Sequence, residues 1–281
     1  MPIQITTLME NSLGEHTALK TEHGLSFLVE TPDAAVLFDL GQSGAFLDNA
    51  QRLCKDLSGV TDVVLSHGHY DHTGGLRPFV ESRGTQGYTL WTGEGFFVKK
   101  YGAFNASYQY LGNDFSKSYL AQQGIAHKTL TKKRTQIAPK IWVATDFSRT
   151  HTLEVPNPRF VKREEGSIFF TPDDFSDEVM LVLETKRGLV VLVGCAHPGM
   201  LNMLDSVEHS FGQPVYALLG GTHLVEADEG RTRDTLRNFF ERGISLLGLS
   251  HCSGERAIEL SLQQSHINFR SCTGSTIILE G

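Results

Sequence analysis

The sequence predicts a layered α/β fold, and two patterns carry that prediction. In the C-terminal third, an apolar run, a short loop containing glycine and a stretch with helical spacing recur in the same order. Nearer the N-terminus, the apolar run 60–66 leads directly into a dense group of polar side chains at 67–72. Strands that alternate with helices form a sheet with helices packed on its outer face, and ligands bind beyond the ends of such strands.

The N-terminal elements follow from the spacing of apolar residues. Apolar runs bounded by turn residues predict strands, and apolar residues at helical intervals predict helices. The predicted strands are 3–8, 26–29, 35–40, 60–66 and 88–92, and the predicted helices are 41–57 and, more briefly, 73–80.

The C-terminal elements are more regular. A hairpin turns at 186–188 between strands 179–184 and 189–193, and a helix that reaches about residue 210 follows. Strand 215–219 precedes a helix near 231–242, and strand 244–249 precedes a helix that continues to 264. This recurring layout predicts the helices on the outer face of the sheet.

Residues 95–175 do not follow these patterns. Eight of the 26 aromatic residues fall between Phe96 and Tyr119, so this stretch differs in composition from the rest of the chain. Two interpretations stay open: a capping insertion over the site, or a loop-rich part of the core. We otherwise expect residues 1–281 to form a single domain.

Composition limits the partners and the setting. Of the 281 residues, 25 are Lys or Arg and 32 are Asp or Glu, a formal net charge of −7, whereas proteins that bind nucleic-acid backbones usually carry a basic excess. The four cysteines have no paired spacing, no secretory leader is recognisable, and the apolar runs are too short to span a bilayer. We therefore expect a cytoplasmic protein that binds a small anionic substrate, and neither nucleic acid nor membrane. The sequence leaves the oligomeric state open.

The polar group at 67–72 has the composition of a metal site. Imidazole and carboxylate are ligands that zinc, iron and manganese accept. His67 and His69 are two residues apart and point the same way in an extended segment, so both can bind one ion. Asp71 and His72 lie where the chain turns and can bind a second ion nearby. Two ions about 3.5–4 Å apart form the usual clamp for phosphate-ester or acyl hydrolysis, with a bridging hydroxide as the nucleophile.

Three further histidines follow other predicted strands. His197, His223 and His251 each come a few residues after an apolar run. One such histidine would usually be structural, but several strand ends with the same pattern indicate a common site. Apart from His23, the remaining histidines lack such a context and are interpreted as ordinary: His16, His127, His151, His209 and His266.

The segment Ser-His-Gly-His-Tyr-Asp-His-Thr-Gly-Gly-Leu at 66–76 resembles the H-x-H-x-D-H signature of the metallo-β-lactamase superfamily. Phe-Asp-Leu-Gly at 38–41 is similar to an early strand end of that family. Segments 22–26, 194–199, 220–224 and 251–254 resemble the branch named for 7,8-dihydropterin-6-methyl-4-(β-D-ribofuranosyl)aminobenzene-5'-phosphate synthase. The resemblance implies a four-layer αβ/βα sandwich, the metallo-β-lactamase fold, with metal ions at the edge between two sheets.

The resemblance also implies the residues that bind the metal. The positions that correspond to ligands of the family are His67, His69, Asp71, His72 and His251. Many members have an Asp that bridges two ions where this chain has Cys195, and we predict that His197 is a further ligand. Cys195 is left as a ligand, a supporting residue or a small buried side chain, and Asp39 is expected to orient a ligand. The expected cofactor is two divalent ions, zinc first, with manganese or iron as alternatives.

Catalytic and substrate-binding residues are expected in the same loops. We expect Asp71 and His223 to take part in catalysis, with His223 as a substrate contact or proton donor; it could also replace His251 as a ligand. His23 is predicted to bind substrate at the rim of the pocket, or to lie in an ordinary turn.

Phosphate could be held by helix N-termini. Pro198 and Ser253 are expected to begin helices whose free N–H groups point at the site, with Ser253 as a substrate contact. The basic run 132–134 could meet a phosphate tail and the aromatic residues 96–119 a flat ring. A solvated face and core packing, respectively, are the stronger interpretations of these two features.

These features favour a metal-dependent hydrolase that acts on a small phosphate-containing substrate, a phosphodiester or pyrophosphate, through a metal-bridging hydroxide. One alternative is the transferase for which the branch is named, which would join a dihydropterin diphosphate to an aminobenzene ribosyl phosphate. Another is an iron-dependent oxidoreductase of the same fold. A binding module without catalysis is disfavoured because the cluster at 67–72 is complete.

Overall fold

The structure is a computed structural model that describes residues 2–105, 107–152, 154–264 and 267–281, with the backbone alone for 264, 267 and 268. His266, interpreted above as an ordinary histidine, lies outside these residues. Within the described chain, the strands form two seven-stranded sheets and one four-stranded sheet.

The first large sheet is built mainly from N-terminal strands. Its members are β1 (Pro2–Met9), β2 (Ser26–Glu30), β3 (Ala35–Phe38), β4 (Asp62–Val64), β5 (Thr89–Gly93), β8 (Ala126–Leu130) and β18 (Thr276–Glu280). They pair in the order β18-β1-β2-β3-β4-β5-β8. From β3 to β8 the pairs are parallel, and the other pairs are antiparallel.

The second large sheet holds the C-terminal strand–helix units. Its members are β9 (Arg134–Ala138), β10 (Ile141–Ala144), β13 (Met180–Thr185), β14 (Gly188–Val193), β15 (Val215–Gly220), β16 (Leu246–Leu249) and β17 (Ile267–Asn268). They pair in the order β17-β16-β15-β14-β13-β10-β9. The hairpin predicted around 186–188 is present as the antiparallel pair β13–β14.

Helices cover the outer faces of both large sheets. They are α1 (Ala45–Arg52), α2 (Tyr70–Thr73), α3 (Leu76–Arg83), α4 (Lys117–Gln123), α5 (Met200–Phe211), α6 (Glu229–Glu241) and α7 (Glu255–Gln264), with short 3-10 turns at Leu57–Gly59 and His251–Ser253. The predicted helix at 41–57 is shorter in the structure, where it is α1. The predicted helix at 73–80 is divided, because glycines at 74 and 75 separate α2 from α3. Among the described helices, none combines the length and apolar character needed to cross a bilayer.

The two large sheets pack face to face. Along β14, Val190 and Leu192 point into the core between the sheets, whereas Leu189, Val191 and Val193 point into the core beneath the C-terminal helices. A third core joins the outer face of the first sheet to α1, α3 and α4. The order of layers is helix, sheet, sheet, helix, so the predicted four-layer αβ/βα sandwich is confirmed.

The segment 95–175 is divided between two places. Part of it supplies α4, β8, β9 and β10 to the body of the sandwich. The rest forms the small sheet, with β6 (Lys99–Phe104), β7 (Ser107–Tyr110), β11 (Phe160–Arg163) and β12 (Thr171–Pro172) in the order β12-β11-β6-β7. Neither a pure insertion nor a loop-rich core describes the whole segment, and the division into domains stays a prediction.

Candidate metal centre

Strand ends from both large sheets meet at one edge of the molecule. β3 and β4 run parallel in the first sheet, and β14, β15 and β16 run parallel in the second. The loops that follow these strands therefore share an edge. The predicted site residues that are buried there are Asp39, His67, His69, Asp71, His72, Cys195, His197 and His251.

Three imidazoles form a first donor set: His67, His69 and His197. One nitrogen of each lies within 4.8 Å of the others, and His67 Nε2 is 3.0 Å from His69 Nδ1. The Nε2 atoms of His69 and His197 are buried and have no hydrogen-bond partner among the described residues. Burial holds the pKa of all three rings well below the ordinary value. They are therefore neutral, which is the form that binds a metal ion.

Asp39 organises the loop that carries these ligands. Its carboxylate accepts hydrogen bonds from the Ser66 amide and the Ser66 hydroxyl, both at 2.7 Å, and from His72 Nδ1, also at 2.7 Å. His72 Nδ1 therefore carries a proton and Nε2 faces the site. Burial lowers the pKa of His72, but the carboxylates of Asp71 and Asp39 outweigh burial and raise it to about 9, so an ion that binds at Nε2 must displace a proton. A Cβ atom at Gly194 would lie 2.1 Å from Ser66 Oγ, so only glycine allows β14 to end this close to the loop. These contacts are those of a residue that orients a metal ligand.

A second donor set surrounds Asp71. Asp71 Oδ2 lies 3.3 Å from His251 Nε2 and 3.3 Å from His23 Nε2. Burial alone would raise the pKa of Asp71, but the charge of His72 and the contact with His251 hold it well below the ordinary value. The carboxylate is therefore ionised. His251 Nε2 makes no aligned hydrogen bond within the described chain, whereas its Nδ1 lies 3.0 Å from Asn11 Oδ1.

The arrangement of the second set bears on two predictions. His251, and not His223, shares this set with Asp71. The side chain of His23 is 55% exposed, as expected at a rim, but its Nε2 lies within 4.8 Å of the donor atoms of Asp71 and His251. His23 is thus a candidate ligand as well as a candidate substrate contact.

Glu178 holds the loop after β14. Its carboxylate accepts hydrogen bonds from the backbone N–H groups of Cys195 at 3.3 Å, Ala196 at 2.7 Å and His197 at 3.3 Å. Burial, together with the charge of Asp177, raises the pKa of Glu178 to about 8. The loop places Cys195 Sγ 3.3 Å from His72 Nε2, and the role of Cys195 as ligand or support stays a prediction.

His223 lies beside the first donor set. Its ring centroid is 4.5 Å from that of His197, and its Nε2 is 3.3 Å from Glu226 Oε2 without an aligned hydrogen bond. Burial lowers the pKa of His223, but the Cys252 thiolate and the Glu226 carboxylate outweigh burial and raise it to about 9. The ring therefore carries a proton at neutral pH and faces a cavity that it shares with His197.

Ser253 does not contact this cavity. Its side chain is buried, and its hydroxyl accepts hydrogen bonds from the amide and hydroxyl of Thr222, both at 3.0 Å. The hydroxyl joins two loops of the protein, and the substrate contact at Ser253 stays a prediction.

The phosphate site predicted at the start of α5 is wrong. The helix begins at Met200 and not at Pro198. Its free N–H groups at Leu201 and Asn202 donate to the carboxylate of Glu154 at 2.9 and 2.8 Å. A side chain of the protein itself thus occupies the place expected for phosphate.

The basic run 132–134 lies far from the candidate ligands. Arg134 Nη1 donates to the carbonyl of Ser210 at 2.7 Å, at the C-terminal end of α5. His197 precedes the N-terminal end of this 12-residue helix, which is about 18 Å long. The solvated face, the stronger of the two interpretations, is the one that agrees with this position.

Two phenylalanines line the first donor set, and the sequence did not point to them. Phe175 stacks on His197 with ring centroids 3.9 Å apart, and Phe160 contacts the same ring at 5.1 Å. Within the predicted aromatic stretch, Phe96 and Phe115 are buried in the core of the first sheet. Core packing therefore explains these two rings of the 96–119 stretch.

Glu178 and Asn11 were also missed, although the strand-end rule could have found them. Asn11 follows β1, which points toward the same edge as β3, and Glu178 precedes β13, which starts where β14 ends. Two antiparallel neighbours run in opposite directions, so one strand begins at the sheet edge where the other ends. A polar residue just before the first strand therefore lies at the same edge as a polar residue just after the second. His23, which precedes β2, follows the same rule.

The family of the chain is shown by comparison with known proteins. Residues 19–211, more than half of the chain, match the model of the metallo-beta-lactamase superfamily. The chain belongs to the metallo-β-lactamase superfamily. One relative in this superfamily, from Methanocaldococcus jannaschii, is a 7,8-dihydropterin-6-methyl-4-(beta-D-ribofuranosyl)-aminobenzene-5'-phosphate synthase. It is 27% identical, with 98% of this chain and 96% of the relative covered.

Solved structures agree with the membership of this superfamily. The crystal structure of Tm1679, a metal-dependent hydrolase of the β-lactamase superfamily, is 29% identical and has a TM-score of 0.84, with 99% of this chain and 100% of that chain covered. A diphosphatase from the PhnP family has the same fold at 12% identity and a TM-score of 0.57, with 100% and 98% covered.

Members of the metallo-β-lactamase superfamily typically bind divalent metal ions, and the donors present here fit such ions. In the first set, the Nε2 atoms of the neutral imidazoles His69 and His197 are buried and unpaired among the described residues; in the second, the ionised carboxylate of Asp71 lies beside His251 Nε2. Buried polar atoms normally find a hydrogen-bond partner. Unpaired imidazole nitrogens close to an ionised carboxylate are what a metal site requires.

Proposed function

We propose that the chain is a metal-dependent hydrolase of a small phosphate-containing substrate, a phosphodiester or a pyrophosphate. The observation that carries the proposal is the pair of adjacent donor sets, one of three neutral imidazoles and one built around an ionised carboxylate. Two neighbouring sites of this kind suit hydrolysis at phosphorus, where charge develops on several oxygens at once.

His67, His69 and His197 would hold one divalent ion, and Asp71, His72 and His251 a second, with zinc as the first choice and manganese or iron as alternatives. Cys195 and His23 are additional candidate donors. When bound, such ions act as Lewis acids and lower the pKa of water toward neutrality.

The chain's own residues supply position and protons. Asp39 fixes His72, and Glu178 fixes the loop of His197 through three backbone N–H groups. Phe160 and Phe175 cover the imidazoles and limit the access of bulk water. His223 holds a proton on a ring that faces the cavity, so it is suited to protonate a leaving oxygen.

Metal analysis and a substrate panel test the proposal. Purified protein should contain close to two ions per chain and should hydrolyse members of a panel of phosphodiesters and pyrophosphates when loaded with zinc, manganese or iron. His69→Ala should lose metal and at least about 100-fold of the activity, whereas His209→Ala, on an exposed helical position, should keep both. Metal-loaded protein that turns over no compound of the panel would contradict the proposal.

A transferase is the second candidate, and one observation favours it. The synthase from M. jannaschii covers 98% of this chain at 27% identity, so the likeness extends beyond the ligand loops. Incubation with a dihydropterin diphosphate and an aminobenzene ribosyl phosphate distinguishes the candidates. A transferase releases diphosphate only when both partners are present, whereas a hydrolase needs one phosphate compound and water. The iron-dependent oxidoreductase stays a prediction from the sequence.

A further inference from the structure

A cavity of about 250 Å³ opens beside the first donor set. His197 and His223 form one wall, and Asn157 and Arg231 lie among the other lining residues. A larger cavity, of about 850 Å³, lies behind Phe175, but none of its lining residues is a candidate ligand. The smaller cavity is therefore the one that connects to the metal centre.

The cavity is too small for a whole ligand. Pockets that enclose a complete small molecule usually measure about 300–1,000 Å³. A space of about 250 Å³ next to His197 can hold one group of a substrate whose reacting end lies at the metal centre.

Arg231 lines this cavity and also a neighbouring one of about 310 Å³. It lies in the first turn of α6, and its Nε is buried with no hydrogen-bond partner among the described residues. The described chain offers its guanidinium no ion pair, whereas Arg233 and Arg237 of the same helix pair with Glu229 and Asp234. A buried guanidinium nitrogen without an acceptor is costly, and a bound anion would supply one.

The one carboxylate that lines the cavity does not cancel this charge. Glu226 is bound by Arg159, with Nη2 2.6 Å from Oε1, and by the amide of Asn157, with Nδ2 2.6 Å from Oε2. Arg159 pairs with Glu226. Glu154 also feels the charge of Arg231, but its two oxygens accept from the N–H groups of Leu201 and Asn202, so Arg231 keeps no ion pair within the described chain. The uncompensated charge is positive and suits a phosphate group, which Arg binds through two parallel N–H···O hydrogen bonds.

We infer that this cavity is an anion subsite in which Arg231 binds a second phosphate group of the substrate. The inference rests on the proposed function and narrows it. The substrate class becomes compounds with two phosphate groups, such as a diphosphate, or a phosphate ester with a further phosphate on a short arm. Arg231 would determine specificity and take no part in bond cleavage.

Binding of inorganic diphosphate to the metal-loaded protein tests the inference without turnover. Calorimetry should show that Arg231→Met weakens diphosphate binding about 10-fold or more, that Arg231→Lys recovers part of the loss, and that Arg237→Met changes nothing. The metal content should be equal in all four proteins. Wild-type affinity in Arg231→Met would overturn the inference.

A second measurement on the wild-type protein covers the case in which Arg231→Met does not fold. Diphosphate should protect Arg231, but not Arg237, from modification by butanedione, as read by mass spectrometry. Equal modification with and without diphosphate would overturn the inference. Protection at Arg231 in a protein that hydrolyses no phosphate compound would refute the proposed hydrolase and leave the subsite standing.

Discussion

Replacing Asp39 by Asn should weaken the binding of one metal ion by about 10- to 100-fold. The Asp39 carboxylate is completely buried, and Oδ2 accepts hydrogen bonds from both the Ser66 hydroxyl and His72 Nδ1. In Asp39→Asn, the side-chain amide oxygen can still accept the hydrogen bond from the Ser66 N–H. The NH₂ group of the amide then lies where Oδ2 lies in the wild-type protein. Neither the Ser66 hydroxyl nor the ring N–H of His72 can donate to it, and His72 Nδ1 can accept from it only after the ring proton has moved to Nε2.

The size of the expected loss in metal affinity follows from which nitrogen of His72 carries the proton. With an amide NH₂ opposite, the favourable tautomer of His72 carries its proton on Nε2, which faces the site. Restoring the ligating tautomer breaks the amide–imidazole hydrogen bond and leaves two buried N–H donors facing each other, at a cost of about 1–3 kcal/mol. That energy corresponds to roughly 10- to 100-fold in affinity. The ion held by His67, His69 and His197 should bind as before.

Competition with a chromogenic chelator measures both affinities, and elemental analysis counts the ions. Asp62→Asn is a matched control, because Asp62 is also a buried carboxylate of the first sheet. It accepts a single hydrogen bond, from Trp91 Nε1 at 2.6 Å, which an amide oxygen can also accept. A folded Asp39→Asn protein that binds both ions with wild-type affinity would refute the reasoning.

Three further predictions concern stability. Lys100→Met should cost about 3–5 kcal/mol in denaturant unfolding, because it leaves the buried carboxylates of Asp173 and Asp177 unpaired; a cost below about 1 kcal/mol would contradict this. Burial raises the pKa of Asp205, but Arg242 outweighs it and lowers the value. This stabilisation is therefore present above about pH 4 and is lost as the pH falls through the folded pKa. Asp205→Asn should accordingly cost at most about 1 kcal/mol at pH 7, with the difference vanishing near pH 2. Removing metal with a chelator should lower the melting temperature, and ions at 100 times their Kd should restore about 2.7 kcal/mol for each site that they fill; identical melting curves would count against metal binding.

Much of the fold could be predicted because burial leaves a clear pattern in its strands. β14 is buried on both faces, so Gly188–Val193 is a continuous apolar run. Ordinary turns after such strands consist mostly of Gly, Pro, Asn, Asp and Ser, so the histidines at 67, 197 and 251 stood out. The structure places all three at one edge because their strands are parallel within each sheet.

The segment 95–175 could not be assigned because its strands lack that pattern. All residues of β7 (Ser107–Tyr110) are exposed, and β8 (Ala126–Leu130) is buried only at its last residue. Strands at sheet edges need no apolar alternation, so their sequence resembles that of a loop. The small sheet also pairs β6 with β11, where Tyr101 lies opposite Val161. Local sequence gives no signal for a contact over such a separation.

The wrong expectation at the start of α5 has a physical cause. Sequence shows within a few residues where a helix begins, but it does not show which side chain from elsewhere reaches the free N–H groups first. Glu154 precedes α5 by more than 40 residues and is joined to it only by the tertiary fold. Helix N-termini therefore predict anion sites only when no carboxylate of the chain can reach them.

The energetics of the centre indicate that stability alone does not explain its residues. Each buried polar atom without a partner costs about 1–3 kcal/mol, and two such atoms among the described residues are the Nε2 nitrogens of His69 and His197. Asp39 and Ala196 hold left-handed backbone angles, with φ of 59° and 55°, and each adds further strain. Together these terms rival the 5–15 kcal/mol that typically stabilises a domain. A chain that keeps such costs at one edge needs an interaction that offsets them, and a bound ion offsets the unpaired nitrogens directly. The metal-free protein should therefore be only marginally stable, and its loss of stability should be concentrated in the loops that follow β4, β14 and β16.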